Sequence, residues 1–310
     1  MDSIEKAMLA RQRASVRAST PPPTAALPLE DVIERAASLP TPPNLAVGAP
    51  LSAKRTQRSA ALDFERIRAA GLLVPDAQRG QIKEEYRHIK RPLLLNADGR
   101  GAVTVEHPNL VMVTSARPNE GKTFTACNLA LSIAAERNRT VLLVDADVVK
   151  PAVAYTLGVE GEPGLVDYLI DDRLDLADVL VDTNVPALTL LPAGSRHHLS
   201  TELLAGERMR KLAVEMSERY PDRMVIVDSP PLLMTSEASI LASLMGQVVM
   251  VVEAERTPQS QVKEALALLH PHQIVGFVLN KARAFLGTQG YGYGYGYSYD
   301  VDVQPTAGGQ

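Results

Sequence analysis

Between about residues 108 and 283 the chain alternates short apolar runs with longer segments of helical spacing. The runs are LVMVT (110–114), TVLLVD (140–145), LTLLPA (188–193), RMVIVD (223–228), QVVMVVE (247–253) and IVGFVLN (274–280). Each is nearly continuous, which is the pattern of a strand buried on both faces. Segments 121–136, 200–219, 235–245 and 259–270 read as helices between them. Strands separated by helices predict an α/β fold: a mostly parallel sheet with helices on both faces. Ligands of such sheets bind beyond the carboxyl ends of the strands.

The flanks differ. Residues 1–75 open with a short amphipathic segment carrying Ile4, Met8 and Leu9, then gather Pro21, Pro22, Pro23, Pro28, Pro40, Pro42, Pro43 and Pro50. That composition reads as a disordered linker. Within 76–95, GQIKEEYRHIKRPLL suits a surface helix that Pro92 should end. Residues 76–285 then form the folded domain, and 286–310 a Gly- and Tyr-rich tail that cannot build a core.

Composition narrows the function. The net charge of -4 is spread over mixed acidic and basic residues, so no basic nucleic-acid footprint is expected. Cys127 is the one cysteine and cannot form an intramolecular disulfide, which fits a reducing compartment. No apolar run approaches the roughly 18 residues of a membrane span. The N-terminus lacks a signal-peptide core, so a cytoplasmic location is expected and a membrane role would need a partner.

The strongest chemical signal is Ala116-Arg117-Pro118-Asn119-Glu120-Gly121-Lys122-Thr123. It matches the P-loop with Ala for the first Gly, follows an apolar run and opens a helix. Arg117, Pro118, Asn119, Glu120, Gly121, Lys122, Thr123 and Phe124 are therefore candidate ATP-binding residues. Loop amides face the phosphates, Lys122 reaches the β- and γ-phosphates, and the Thr123 hydroxyl binds Mg²⁺. Asp145 and Asp147 close one apolar run and Asp228 another. Carboxylates there can hold Mg²⁺ directly or through water, or serve as helix caps or turn residues. Cys127 reads as a small buried residue and His197-His198 as a loop pair.

ARPNEGKT, LLVDADVVKP, VIVDSPP and the terminal tyrosine cluster together resemble the bacterial tyrosine kinases of polysaccharide export. EEYRHIKRPLL and the N-terminal SIEKA segment add a likeness to the exosortase-associated branch. The likeness spans roughly 80–300 plus the first helix. The three motifs mark the wider MinD- and ParA-like P-loop ATPases, while the tail and EEYRHIKRP select the kinases. This resemblance implies ATP and Mg²⁺ as cofactors and Lys122 and Thr123 as the P-loop pair. It implies Asp145 as base for the tyrosine hydroxyl, Asp147 as a magnesium ligand beside Thr123, and Asp228 as the third-motif carboxylate. Glu84, Arg87 and Lys90 resemble an oligomerisation motif. The family pattern further implies a homo-oligomeric ring, a membrane activator of the chain-length-determinant or copolymerase type, a tyrosine phosphatase, and recruitment to the inner face of the membrane. Three departures stand out: Val149 replaces an Arg, Ala116 a Gly, and Arg117 the signature Lys of MinD-like ATPases.

Tyr291, Tyr293, Tyr295, Tyr297 and Tyr299 are the expected phosphoacceptors. Glycines between the first four let a ring enter a cleft. A MinD- or ParA-like positioning ATPase needs the same P-loop without tyrosine transfer, and is the competing reading. A non-catalytic nucleotide-binding scaffold is a third.

Overall fold

A computed structural model describes residues 58–75, 80–219 and 222–282. In chain order the elements are β1 (Arg58–Ala60), α1 (Phe64–Ala69), α2 (Gln81–Ala97), β2 (Leu110–Ser115), α3 (Lys122–Ala134), β3 (Thr140–Asp145), α4 (Val153–Leu157), α5 (Leu165–Ile170) and α6 (Leu176–Val179). There follow β4 (Val181–Thr183), β5 (Leu188–Leu191), α7 (Ser200–Leu204), α8 (Glu207–Glu218), β6 (Arg223–Asp228), α9 (Ser236–Ser243), β7 (Gln247–Glu253), α10 (Gln259–Leu266) and β8 (Ile274–Asn280).

The strands form one sheet in the order β1-β4-β5-β3-β6-β2-β7-β8. Every neighbouring pair is parallel except β4 and β5. All six strands expected from the apolar runs are present. Strand alternation explains why those runs are continuous. Val111 and Val113 of β2 face a core shared with α1, α2, α3 and α4, while Leu110 and Met112 face one shared with α5 to α10. Both sets are buried, at about 1.5–3 kcal/mol for each large side chain. β2 thus lies mid-sheet between β6 and β7, and its carboxyl end opens where the chain crosses from one half of the sheet to the other.

Three expectations are corrected. The folded domain begins before residue 76: β1 pairs with β4, and Leu62, Ile67, Leu72, Leu73 and Val74 enter the core. A three-residue strand and a six-residue helix are too short to show a period, and the proline-rich composition ahead of them masked the change. Pro92 does not end α2, which runs on to Ala97. Beyond it Leu93 is buried, and Asn96 donates to the buried Gln247, whose amide returns to the Leu93 carbonyl. That packing outweighs the one helical bond a proline forfeits. Finally, segment 200–219 is two helices, α7 and α8, broken at Gly206, the N-cap of α8. The N-terminal amphipathic segment with its SIEKA stretch, the linker up to residue 57 and the tyrosine tail lie outside the described residues.

Candidate active site

The P-loop joins β2 to α3 as its sequence context requires. Gly121 takes φ +98°, a backbone conformation costly for other residues, and Asn119 also has positive φ. Buried Glu120 holds the loop from within. Its carboxylate accepts the Arg117 amide at 2.7 Å and the Thr257 hydroxyl, so it shapes the loop instead of facing the phosphates. From the β8 side Asn280 donates to the Glu120 carbonyl (2.9 Å) and Lys281 to the Asn119 carbonyl (2.7 Å). Lys150 reaches across from the β3–α4 turn to Asn119 Oδ1 at 3.1 Å. These props come from residues distant in sequence and carry no motif of their own.

A cleft of about 410 Å³ opens beyond the loop, lined by Pro118, Asn119, Gly121, Lys122, Thr123 and Phe124 on one side. Asp147 lines it opposite, its Oδ2 3.8 Å from Lys122 Nζ. The Thr123 hydroxyl donates to Asp228 Oδ2 at 2.6 Å. Arg117 is exposed at the loop's outer turn. Five expected residues, Lys122, Thr123, Asp145, Asp147 and Asp228, therefore meet at the ends of β2, β3 and β6, with Asp145 and Asp228 side by side in register.

Their environments differ. Burial pushes Asp228 well above the ordinary carboxylate range, reinforced by the neighbouring Asp145 charge. Its Oδ1 is buried without a hydrogen-bond partner. A buried acceptor of this kind beside a threonine hydroxyl fits a cation, so Asp228 and Thr123 suit Mg²⁺. Among the described residues no three His, Cys, Asp or Glu side chains form a ready cage. Mg²⁺ does not need one, because it commonly uses one or two carboxylates together with phosphate oxygens. Asp147 is also raised by burial, with Lys122 opposing.

Asp145 departs from expectation. It is fully buried, and its Oδ2 accepts the Ala152 and Val153 amides at 3.0 and 2.9 Å, capping α4. Its Oδ1 takes the Asp147 amide at 3.3 Å. Burial pushes its pKa up to about 7 despite these bonds. In this arrangement Asp147, not Asp145, faces the cleft beside Lys122.

The oligomerisation triplet also separates. Arg87 pairs with Glu84 at 2.8 Å on the outer face of α2. Lys90 is buried, donating to the Ser132 carbonyl and pairing with Glu136, each at 2.6 Å, at the C-terminal end of α3. It fastens α2 to α3, and the helix end favours its charge. Cys127 is buried on α3 as expected, its thiol pushed up by burial.

Residues 111–288 match the CobQ/CobB/MinD/ParA nucleotide binding domain. The tyrosine-protein kinase YwqD of Bacillus subtilis is 35% identical over 173 residues, 55% of this chain and 71% of YwqD. The chain belongs to the bacterial tyrosine kinase family. The family's kinase domain from Escherichia coli ETK superposes with a TM-score of 0.60 at 25% identity, covering 79% of this chain and 89% of that one. ExoP of Rhizobium meliloti, a succinoglycan biosynthesis transport protein, is 32% identical over 231 residues, 71% of this chain. The chain spans only about a quarter of the longer relatives it matches, 27% of ExoP and 23% of a Ralstonia nicotianae protein. Among the described residues no helix is long and apolar enough to cross a membrane.

Proposed function

We propose that this chain is an ATP- and Mg²⁺-dependent protein-tyrosine kinase whose acceptors are the tail tyrosines Tyr291, Tyr293, Tyr295, Tyr297 and Tyr299. The observation that carries this is one cleft lined by Lys122, Thr123 and Asp147, with buried Asp228 directly behind Thr123 and its Oδ1 without a hydrogen-bond partner, and with Lys281, ahead of the tail, fastened beside it to Asn119. Tyr291 lies nine residues past Ala282, a reach of up to about 30 Å in an extended chain. Bound Mg²⁺ would neutralise charge on the β- and γ-phosphates. Loop amides and Lys122 orient the phosphates, and Thr123 and Asp228 hold the metal side. Asp147 meets the phenolic proton, and Asp145 lies behind it on the same strand end. Burial raises both carboxylates, so each accepts a proton more readily than an exposed aspartate.

The wider reading extends the likeness to YwqD and ExoP. The kinase works at the inner face of the membrane in exopolysaccharide polymerisation and export, as a homo-oligomeric ring. It answers to a copolymerase-type membrane activator and is reset by a tyrosine phosphatase. The exosortase-associated branch is its proposed place in the family. The test is direct: full-length protein is incubated with ATP and Mg²⁺, and the tail is weighed by mass spectrometry. Stepwise phosphate masses on the tail, lost in a folded Lys122→Met variant, are expected. ADP release with an unmodified tail would make it a positioning ATPase instead.

A further inference from the structure

The cleft has two chemically different ends. Lys122, Thr123 and Asp147 form the charged end. Apart from Asp147, Lys150 and Thr235, the lining contributed by the segments after β3 and β6 is apolar: Val149 at 59% and Met234 at 61% exposure, with Ala152, Pro230 and Pro231. Exposed apolar side chains at the rim of a phosphate site leave an unfavourable surface that a ring can cover.

Sheet order says which ring. Lys122 is drawn to Asp147 after β3, and Thr123 to Asp228 at the end of β6. β6 and β3 lie on one side of β2, and β7 and β8 on the other. The lysine and the metal serve the β- and γ-phosphates, so the γ end points toward β6 and β3. The nucleoside then leaves toward β7 and β8, where Thr257, Asn280 and Lys281 back the loop. Val149 follows β3 and Met234 follows β6, so the apolar mouth lies beyond the γ-phosphate, where an acceptor must approach.

We propose that Val149, Pro231 and Met234 form the acceptor site, which takes the ring of a tail tyrosine from segment 291–299. This rests on the kinase reading above and assigns the residues that select an aromatic acceptor. The ring lies against Val149 and Met234 with its oxygen toward the γ-phosphorus. The phenolic oxygen forms the new bond to that phosphorus. The bond from phosphorus to the β–γ bridging oxygen breaks, ADP leaves, and the phenolic proton passes to Asp147. Val149 stands where the family pattern has Arg, so this chain presents a less charged and more ring-friendly mouth. Lys150, bonded to Asn119, remains the nearby cation.

The experiment uses the full-length chain with Tyr291→Ser, Tyr293→Ser, Tyr295→Ser, Tyr297→Ser and Tyr299→Ser, which removes its own rings. Methionine methyl groups are isotope-labelled, and Met234→Leu assigns the signal. Without nucleotide, the peptide Gly-Tyr-Gly-Tyr-Gly-Tyr-Gly should shift the Met234 methyl, and its serine counterpart should not. With ATP and Mg²⁺, Val149→Ser/Met234→Ser should raise KM for that peptide about tenfold, with kcat and ATP affinity little changed. An unmoved Met234 methyl, an unchanged KM, or a Met234 shift produced by adenosine alone would each overturn the assignment. If the peptide shifts Met234 but no phosphate is ever transferred to it or to the native tail, the binding site stands and the kinase reading fails.

Discussion

Gly121→Ala tests whether the phosphate loop is held from β8. An added Cβ would overlap Nδ2 of Asn280, the group that donates to the Glu120 carbonyl at 2.9 Å. Two costs combine. Holding a non-glycine residue at φ +98° costs about 1–2 kcal/mol. Displacing Asn280 forfeits a hydrogen bond of about 1 kcal/mol. The single variant should thus lose roughly 2–3 kcal/mol, and Asn280→Ala alone about 1 kcal/mol. Combining them removes the collision and loses the shared bond only once, so the double variant should cost about 1 kcal/mol less than the sum. Urea unfolding with matched m-values measures all three. Additivity within about 0.3 kcal/mol would refute the contact, because independent sites behave that way. The same variants report on function: a loop released from Asn280 should bind ATP more weakly in Gly121→Ala, and the double variant should regain part of that affinity.

Other consequences are simpler to read. Lys90→Met should destabilise by about 2 kcal/mol, the value of a buried charge-assisted bond, whereas Glu84→Ala/Arg87→Ala should change stability by less than about 0.5 kcal/mol. Light scattering should find smaller particles only for the second variant, and a reduced assembly in stable Lys90→Met would reverse these roles. Thr123→Ala should raise the Mg²⁺ concentration needed for half-maximal transfer while leaving the fold intact, since the residue is half-buried and, among the described residues, its hydroxyl bonds to Asp228 alone; an unchanged Mg²⁺ requirement would count against the metal assignment. Mixing Lys122→Met carrying an intact tail with an active chain ending at Gly290 should place phosphate on the inactive protein's tail. An unmodified tail there, alongside dilution-independent self-modification of the wild type, would mean transfer within one chain.

The six long strands were legible because a strand buried on both faces must be apolar throughout. The P-loop was legible because its glycine and lysine are local requirements of phosphate binding. The acidic strand ends were legible as positions. What each carboxylate does was not, because its role depends on neighbours far along the chain. Asp145 and Asp147 are two residues apart, yet the turn into α4 ties both Asp145 oxygens to backbone amides, whereas Asp147 takes the Lys150 amide on Oδ1 and keeps Oδ2 facing Lys122. Helical spacing put Glu84, Arg87 and Lys90 on one stretch of surface, but α3 packs over the end of that stretch and takes Lys90 inside. β1 and β4 were invisible because three residues carry no period, and each exists only by pairing with a strand already in place. The exposed Val149 and Met234 show the same division. Composition places them in separate loops, and only the order of β3, β6 and β2 brings them to one mouth beside the phosphate site. Local chemistry along the chain determined where phosphate could bind; the packing of the sheet decided which side chains face it.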